Sequence, residues 1–130
     1  VERTIASIEK PKLRRSREVF DKRLREAFGD DVSFDVEYFG ATGRRWDFNA
    51  GVSRAGIFER LFELVSPTIQ AIGLANMKIS DVRSLTDPPT VTAALIDYDK
   101  TEPALRSILS NAGGLVISAS DDVQKYRLLQ

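Results

Sequence analysis

Between Val32 and Val52 apolar and polar residues alternate one by one. Val32, Phe34, Val36 and Tyr38 stand against Ser33, Asp35 and Glu37; then Trp46, Phe48, Ala50 and Val52 stand against Arg45, Asp47, Asn49 and Gly51. A period of two marks a half-buried strand, and Gly40 and Gly43 between the runs predict a β-hairpin with Trp46 on its inner face. Elsewhere the period lengthens. Leu13, Phe20, Leu24, Ala27 and Phe28 share one helical stripe, which predicts a helix from Lys12 that stops at Gly29. Residues 1–11 show no period and end at Pro11; they are read as an arm or linker remnant before a single domain of residues 12–130.

After the hairpin, Ile57, Phe58, Leu61, Phe62, Leu64 and Val65 give a broad apolar face and predict a helix from about Arg54. Pro67 interrupts it, and Ser66 as cap with Pro67 in the first turn predicts a second short helix to Ala75. Met77–Leu85 reads as a strand ending near Asp81, and Asp87-Pro88-Pro89 as a loop. Thr90–Asp97 is rich in β-branched residues and reads as a strand. Thr101 is expected to cap a helix carrying Leu105, Ile108 and Leu109, closed by Gly113-Gly114. Leu115-Val116-Ile117 is a short strand, and Ser120-Asp121-Asp122 opens a final helix. The expected class is α+β: a mixed sheet of about five strands with an N-terminal hairpin, covered by helices, in the order α-β-β-α-β-β-α-β-α.

Composition narrows the chemistry more than it suggests any. The 130 residues include no cysteine and no histidine, so disulfides, thiolate nucleophiles, Cys/His zinc sites and Ser-His-Asp triads are all impossible within the chain. A metal site would have to use oxygen ligands, which favours magnesium, calcium or manganese. No run approaches a membrane span or a signal peptide, and a cytoplasmic location is expected. The chain opens on Val1, and a further domain is expected before it. Net charge is zero, yet Lys10–Arg25 holds eight basic residues against Glu18 and Asp21, so the other 114 residues sum to −6. Such asymmetry suggests a nucleic acid or an acidic protein as partner, against an ordinary solvated helix face.

Three places carry candidate chemistry. On the hairpin, one register sets Glu37 opposite Arg45 and Asp35 opposite Asp47; a slip of two sets Glu37 opposite Asp47 and Asp35 opposite Asn49. Either way two carboxylates meet, which disfavours a sheet unless a cation or a base intervenes or water screens them. Asp35, Glu37 and Asp47 are therefore the candidate acid/base set, with Asp35 and Asp47 as alternative ligands for Mg or Mn, although no cofactor is the leading expectation. The turn Gly40-Ala41-Thr42-Gly43-Arg44-Arg45 could hold an anion on its N–H groups, the Thr42 hydroxyl and two arginines. It lacks the lysine and Ser/Thr of a P-loop, and it joins two strands where a KH clamp joins two helices. Asp97-Tyr98-Asp99-Lys100 ends a strand where ligands collect in α/β sheets, but its spacing is wrong for the acid-x-Lys pair of restriction-type nucleases. Asp97 and Asp99 also suit the start of the next helix.

Phe39-Gly40-Ala41-Thr42-Gly43 followed by Trp46-Asp47-Phe48 resembles the F-x-G-x-S-G…F-D-F hairpin of a bacterial and phage family of unknown function, numbered 1829. Phe58-Glu59-Arg60-Leu61, Ser80-Asp81-Val82-Arg83, Leu95-Ile96-Asp97 and Gly113-Gly114-Leu115-Val116 continue the likeness over residues 32–128. It implies an uncharacterised C-terminal domain of a bacterial or phage protein and supplies no catalytic residue. The expected function is a non-catalytic binding domain that contacts nucleic acid or a protein through Lys12, Arg14, Arg15, Arg17 and Lys22, with Arg44 and Arg45 of the turn. The alternatives are a metal-dependent nuclease or phosphoryl hydrolase on the hairpin carboxylates, and a structural or oligomerisation domain.

Overall fold

The computed structural model describes the backbone of residues 2–121 and Lys125, with side chains from Pro11 onward. Its elements are helix α1 (Glu2–Phe28), strands β1 (Val32–Phe39), β2 (Arg45–Arg54) and β3 (Ile57–Val65), helix α2 (Ile69–Arg83), strand β4 (Thr90–Leu95), helix α3 (Pro103–Asn111) and strand β5 (Leu115–Ser118). The strands lie in sequence order in one five-stranded mixed sheet. β1, β2 and β3 form an antiparallel meander, whereas β3, β4 and β5 run parallel and are joined by α2 and α3. The class is α+β, as the sequence predicted.

Two cores sandwich the sheet. Phe20 and Leu24 of α1 pack with Ala50, Val52, Phe62, Ala94 and Ile117, while Ile72, Ala75, Ile79 and Val82 of α2 and Leu109 of α3 pack with Trp46, Phe48, Leu61, Val91 and Leu95. Neighbouring residues of β3 and β4 thus bury opposite faces. Full burial of each such large side chain contributes about 1.5–3 kcal/mol.

The hairpin forms where the alternation put it, in the second register: Glu37 faces Asp47, Tyr38 faces Trp46 and Phe39 faces Arg45. Trp46 points inward, 6% exposed. One finding was not foreseen. Trp46 and Phe48 join the core under α2, but Ala50 and Val52 join the core under α1. Both strands change faces at the Asp35–Asn49 level, where Asp35 adopts a left-handed conformation (φ 51°) that kinks β1.

Several elements differ from the sequence reading. α1 starts at Glu2 and passes through Pro11, because helix formers on both sides outweigh one lost backbone bond. The expected helix from Arg54 is strand β3. Its crowded apolar pattern reflects a strand buried on both faces, and its start is set by Ala55-Gly56, both left-handed (φ 53° and 79°), in a two-residue turn between Arg54 and Ile57. Thr68, not Ser66, caps α2, its hydroxyl accepting from Ala71 N–H at 3.1 Å. The expected strand at 77–85 is the second half of α2, since Ile72, Ala75, Ile79 and Val82 share one helical face although three of them are β-branched. Thr101 closes the preceding turn by donating to the Asp97 carbonyl, and Glu102 takes the cap position of α3. The observed order is α-β-β-β-α-β-α-β over the described residues; apart from Lys125, the expected final helix lies outside them.

Candidate functional site

The glycine turn between β1 and β2 is already filled by an anion, and the anion belongs to the chain. The Asp81 carboxylate, on the last turns of α2, accepts from Thr42 N–H at 2.9 Å, the Thr42 hydroxyl at 2.7 Å and the Trp46 indole N–H at 2.8 Å. The Asp81 carbonyl accepts from Ala41 N–H. Gly40 is required here, since a Cβ on it would stand 2.1 Å from Asp81 Oδ2. The Trp46 indole first, then Thr42, holds the Asp81 carboxyl below the usual carboxylate range. The donors read from the sequence as an anion cradle thus anchor the hairpin to α2. Asp81 does not pair with Arg83, which donates instead to the Pro89 carbonyl. Arg44 stacks over Trp46 and Arg45 pairs with Glu37 at 3.0 Å, so the two arginines do not converge on one ligand.

A second constellation lies where β2 and β3 part. Beyond the Ala50–Phe62 pair the strands separate, and side chains take over from the backbone ladder. Asn49 N–H donates to Glu63 Oε1 at 3.2 Å, and Leu64 N–H donates to Asn49 Oδ1 at 2.6 Å. Lys78 of α2 donates to Glu63 Oε2 and to the Asp47 carbonyl, both at 2.5 Å, with its ammonium over the Phe48 ring. The Lys78 and Glu63 side chains are only 10% and 14% exposed. Burial pushes the Glu63 carboxyl up, against the opposing pull of Lys78. A cavity of about 330 Å³ opens onto this fork, lined by Asp35, Asp47, Phe48, Asn49, Glu63 and Lys78.

Of the candidate acid/base set, this cavity gathers Asp35 and Asp47 but not Glu37. All three are exposed, and two have arginine partners: Arg17 reaches Asp35 at 3.1 Å, and Arg45 relieves the opposed Glu37–Asp47 pair. Among the described residues no group of three or more carboxylates is placed to hold a metal ion. The third carboxylate of the cavity, Glu63, is already engaged by the Lys78 ammonium.

The basic helix divides into committed and free cations. Lys12 pairs with Asp97 at 2.5 Å, and Arg17 bridges Asp21, Asp35 and the Asn49 carbonyl. Arg23 donates to the Asp121 carbonyl and Arg25 lies over Phe34. These contacts dock α1 onto the sheet. Arg14, Arg15 and Lys22 are exposed, and their side chains have no partner among the described residues. A cleft of about 480 Å³ beside Arg14 and Arg17 reaches Asn49, Glu63 and the start of α2.

Sequence reading missed Asp81, Glu63 and Lys78 as site-forming residues. Lys78 and Asp81 were placed on a strand, and Glu63 on a helix, so nothing aimed them at the hairpin. The signal that could have found them is a lysine and an aspartate three apart, on the apolar face of one helix stripe. Compared with known protein families, curated proteins and solved structures, the chain matches none of them.

Proposed function

We propose that this is a cytoplasmic nucleic-acid-binding domain that grips the phosphate backbone from the outer side of α1. One observation carries the reading: Arg14, Arg15 and Lys22 extend into solvent with no partner among the described residues, while Lys12, Arg17, Arg23 and Arg25 are spent on holding the helix in place. Free cations on a rigid helix meet phosphates without first breaking an ion pair. Few exposed aromatics accompany them, which favours duplex over stacked single strands.

Fluorescence anisotropy with a labelled DNA or RNA duplex at low salt tests this. Three phosphate contacts predict a log–log salt slope of about −3, at roughly 0.9 per contact. The double variant Arg14→Glu/Lys22→Glu should lose most of the affinity with its circular dichroism unchanged. No binding at low salt removes the reading and leaves a protein partner or a structural role.

A second reading, a metal-dependent phosphodiester hydrolase, is favoured by the cavity that sets Asp47 beside Glu63 and Lys78. Magnesium is commonly held by one or two carboxylates together with substrate phosphates, so Asp47 and Glu63 could take it only with substrate bound and Lys78 displaced. Cleavage of a duplex in millimolar magnesium or manganese that disappears in Glu63→Gln would establish it. Absence of cleavage with both metals would dismiss it.

A further inference from the structure

The carboxyl ends of β4 and β5 open into a cleft of about 400 Å³ on the far side of α1 from the β2–β3 fork, within the size range of small-ligand sites. Here the parallel strands β4 and β5 end side by side, at Leu95 and Ser118, each leading into a different loop. Ligands of open α/β sheets gather at the carboxyl ends of parallel strands. The lining is cationic for this neutral chain: Lys12, Arg15, Arg23 and Lys100 against Asp97 and Asp99 leave a balance of +2, and Ser118 and Ser120 also line it.

Two of the four cations have internal duties: Lys12 is held by Asp97, and Arg23 by the Asp121 carbonyl. The side chains of Arg15 and Lys100 have no partner among the described residues. Among the described residues, the hydroxyls of Ser118 and Ser120 bond one another at 2.8 Å and that of Ser118 also accepts the Ser120 N–H, so each could turn to a ligand. The loop is also braced. Asp97 sits in a left-handed conformation (φ 53°), held there by Lys12 on its carboxylate and by Thr101 and Lys100 N–H on its carbonyl. Backbone strain kept in place by that many contacts belongs with binding loops. Val19, Ile96 and Ala119 supply an apolar floor.

We infer that this cleft binds a phosphate monoester, whose dianion matches the surplus of two positive charges and whose organic part lies over the apolar floor. Arg15 and Lys100 contact the phosphate directly; Ser118 and Ser120 donate hydroxyls to it. The site shares Arg15 with the duplex-binding face, but Lys100, Ser118 and Ser120 belong to the cleft alone and Arg14 and Lys22 lie outside it, so the two can be tested apart.

Isothermal titration with inorganic phosphate and with AMP tests this, using the wild-type chain, Arg15→Glu/Lys100→Glu and Arg14→Glu/Lys22→Glu. The expected result is wild-type binding with a Kd of about 1 mM or tighter for AMP. It should weaken about tenfold or more in Arg15→Glu/Lys100→Glu and stay unchanged in Arg14→Glu/Lys22→Glu. AMP binding more tightly than phosphate would mark a nucleotide as the occupant; equal affinities would mark the phosphate alone. Absence of binding by either probe, or binding that survives Arg15→Glu/Lys100→Glu in a folded protein, overturns the inference. Amide shifts mapped by NMR to residues 97–100 and 118–120 would keep the result readable if a variant folds poorly.

Discussion

Asp81 and Glu63 are both shielded carboxylates on the α2 side of the sheet, yet their protons are held in opposite directions. Asp81 receives N–H and O–H donors from Thr42 and Trp46, neutral groups already fixed by the turn and the core. Those donors stabilise its ionised form at little desolvation cost. Glu63 has a full cation beside it and still titrates above its usual range, because the fork removes water from carboxylate and ammonium alike. Aimed neutral dipoles hold a charge better here than an opposite charge in a dry place. The first arrangement is an anchor; the second is a tension.

The largest effect should come from breaking the second arrangement on one side only. Lys78→Met leaves Glu63 unpaired in the fork and should cost about 3 kcal/mol, lowering Tm by roughly 10 °C. The double variant Lys78→Met/Glu63→Gln should recover most of that loss. If the double variant is no more stable than the single one, the pair is not the source of the tension, and the contrast with Asp81 fails. Next in size is Gly40→Ala. The new methyl collides with the Asp81 carboxylate and should destabilise by about 1–3 kcal/mol in urea unfolding.

The smallest effect sharpens the comparison through pH. The folded pKa of Asp81 lies below its unfolded value, so its contribution is present above about pH 4 and is lost as pH falls through the folded value. Glu63 is raised, so its contribution is full below its unfolded value near pH 4.3 and fades as pH rises through the folded one. Trp46→Phe removes the leading donor to Asp81 and should flatten the acid limb of a stability–pH curve. Glu63→Gln should instead abolish the decline above pH 4.3. Superimposable curves for the two variants would show that the carboxylates do not differ.

The sheet class, the hairpin, its inward tryptophan and the strands β4 and β5 were legible from alternation, because one local period decides each. The middle of the chain was not. Ile57–Val65 is buried on both faces, so its apolar residues lose the period of two and imitate a helix. Ile79 and Val82 favour strands by shape but lie on the helix stripe with Ile72 and Ala75. The site inherited these errors. The polar residues of the hairpin were found, since they sit opposite the apolar ones. Their partners Asp81, Glu63 and Lys78 come from the misassigned stretch, and only packing brings them together. The free and committed cations of α1 were also inseparable in sequence, because what distinguishes Arg14 from Arg17 is the Asp35 that the hairpin delivers.

The two halves of this sheet impose different chain-closure demands. The meander joins residues 32–65 through turns of a few residues, one of them just Ala55-Gly56, whereas each parallel pairing must wait for a helix to be laid between its strands. Nearby pairings lose less chain entropy before they gain contacts, so the meander should nucleate folding, with β4 and β5 added afterwards. On that account a destabilising change at Phe48 slows refolding, whereas one at Ile117 chiefly quickens unfolding.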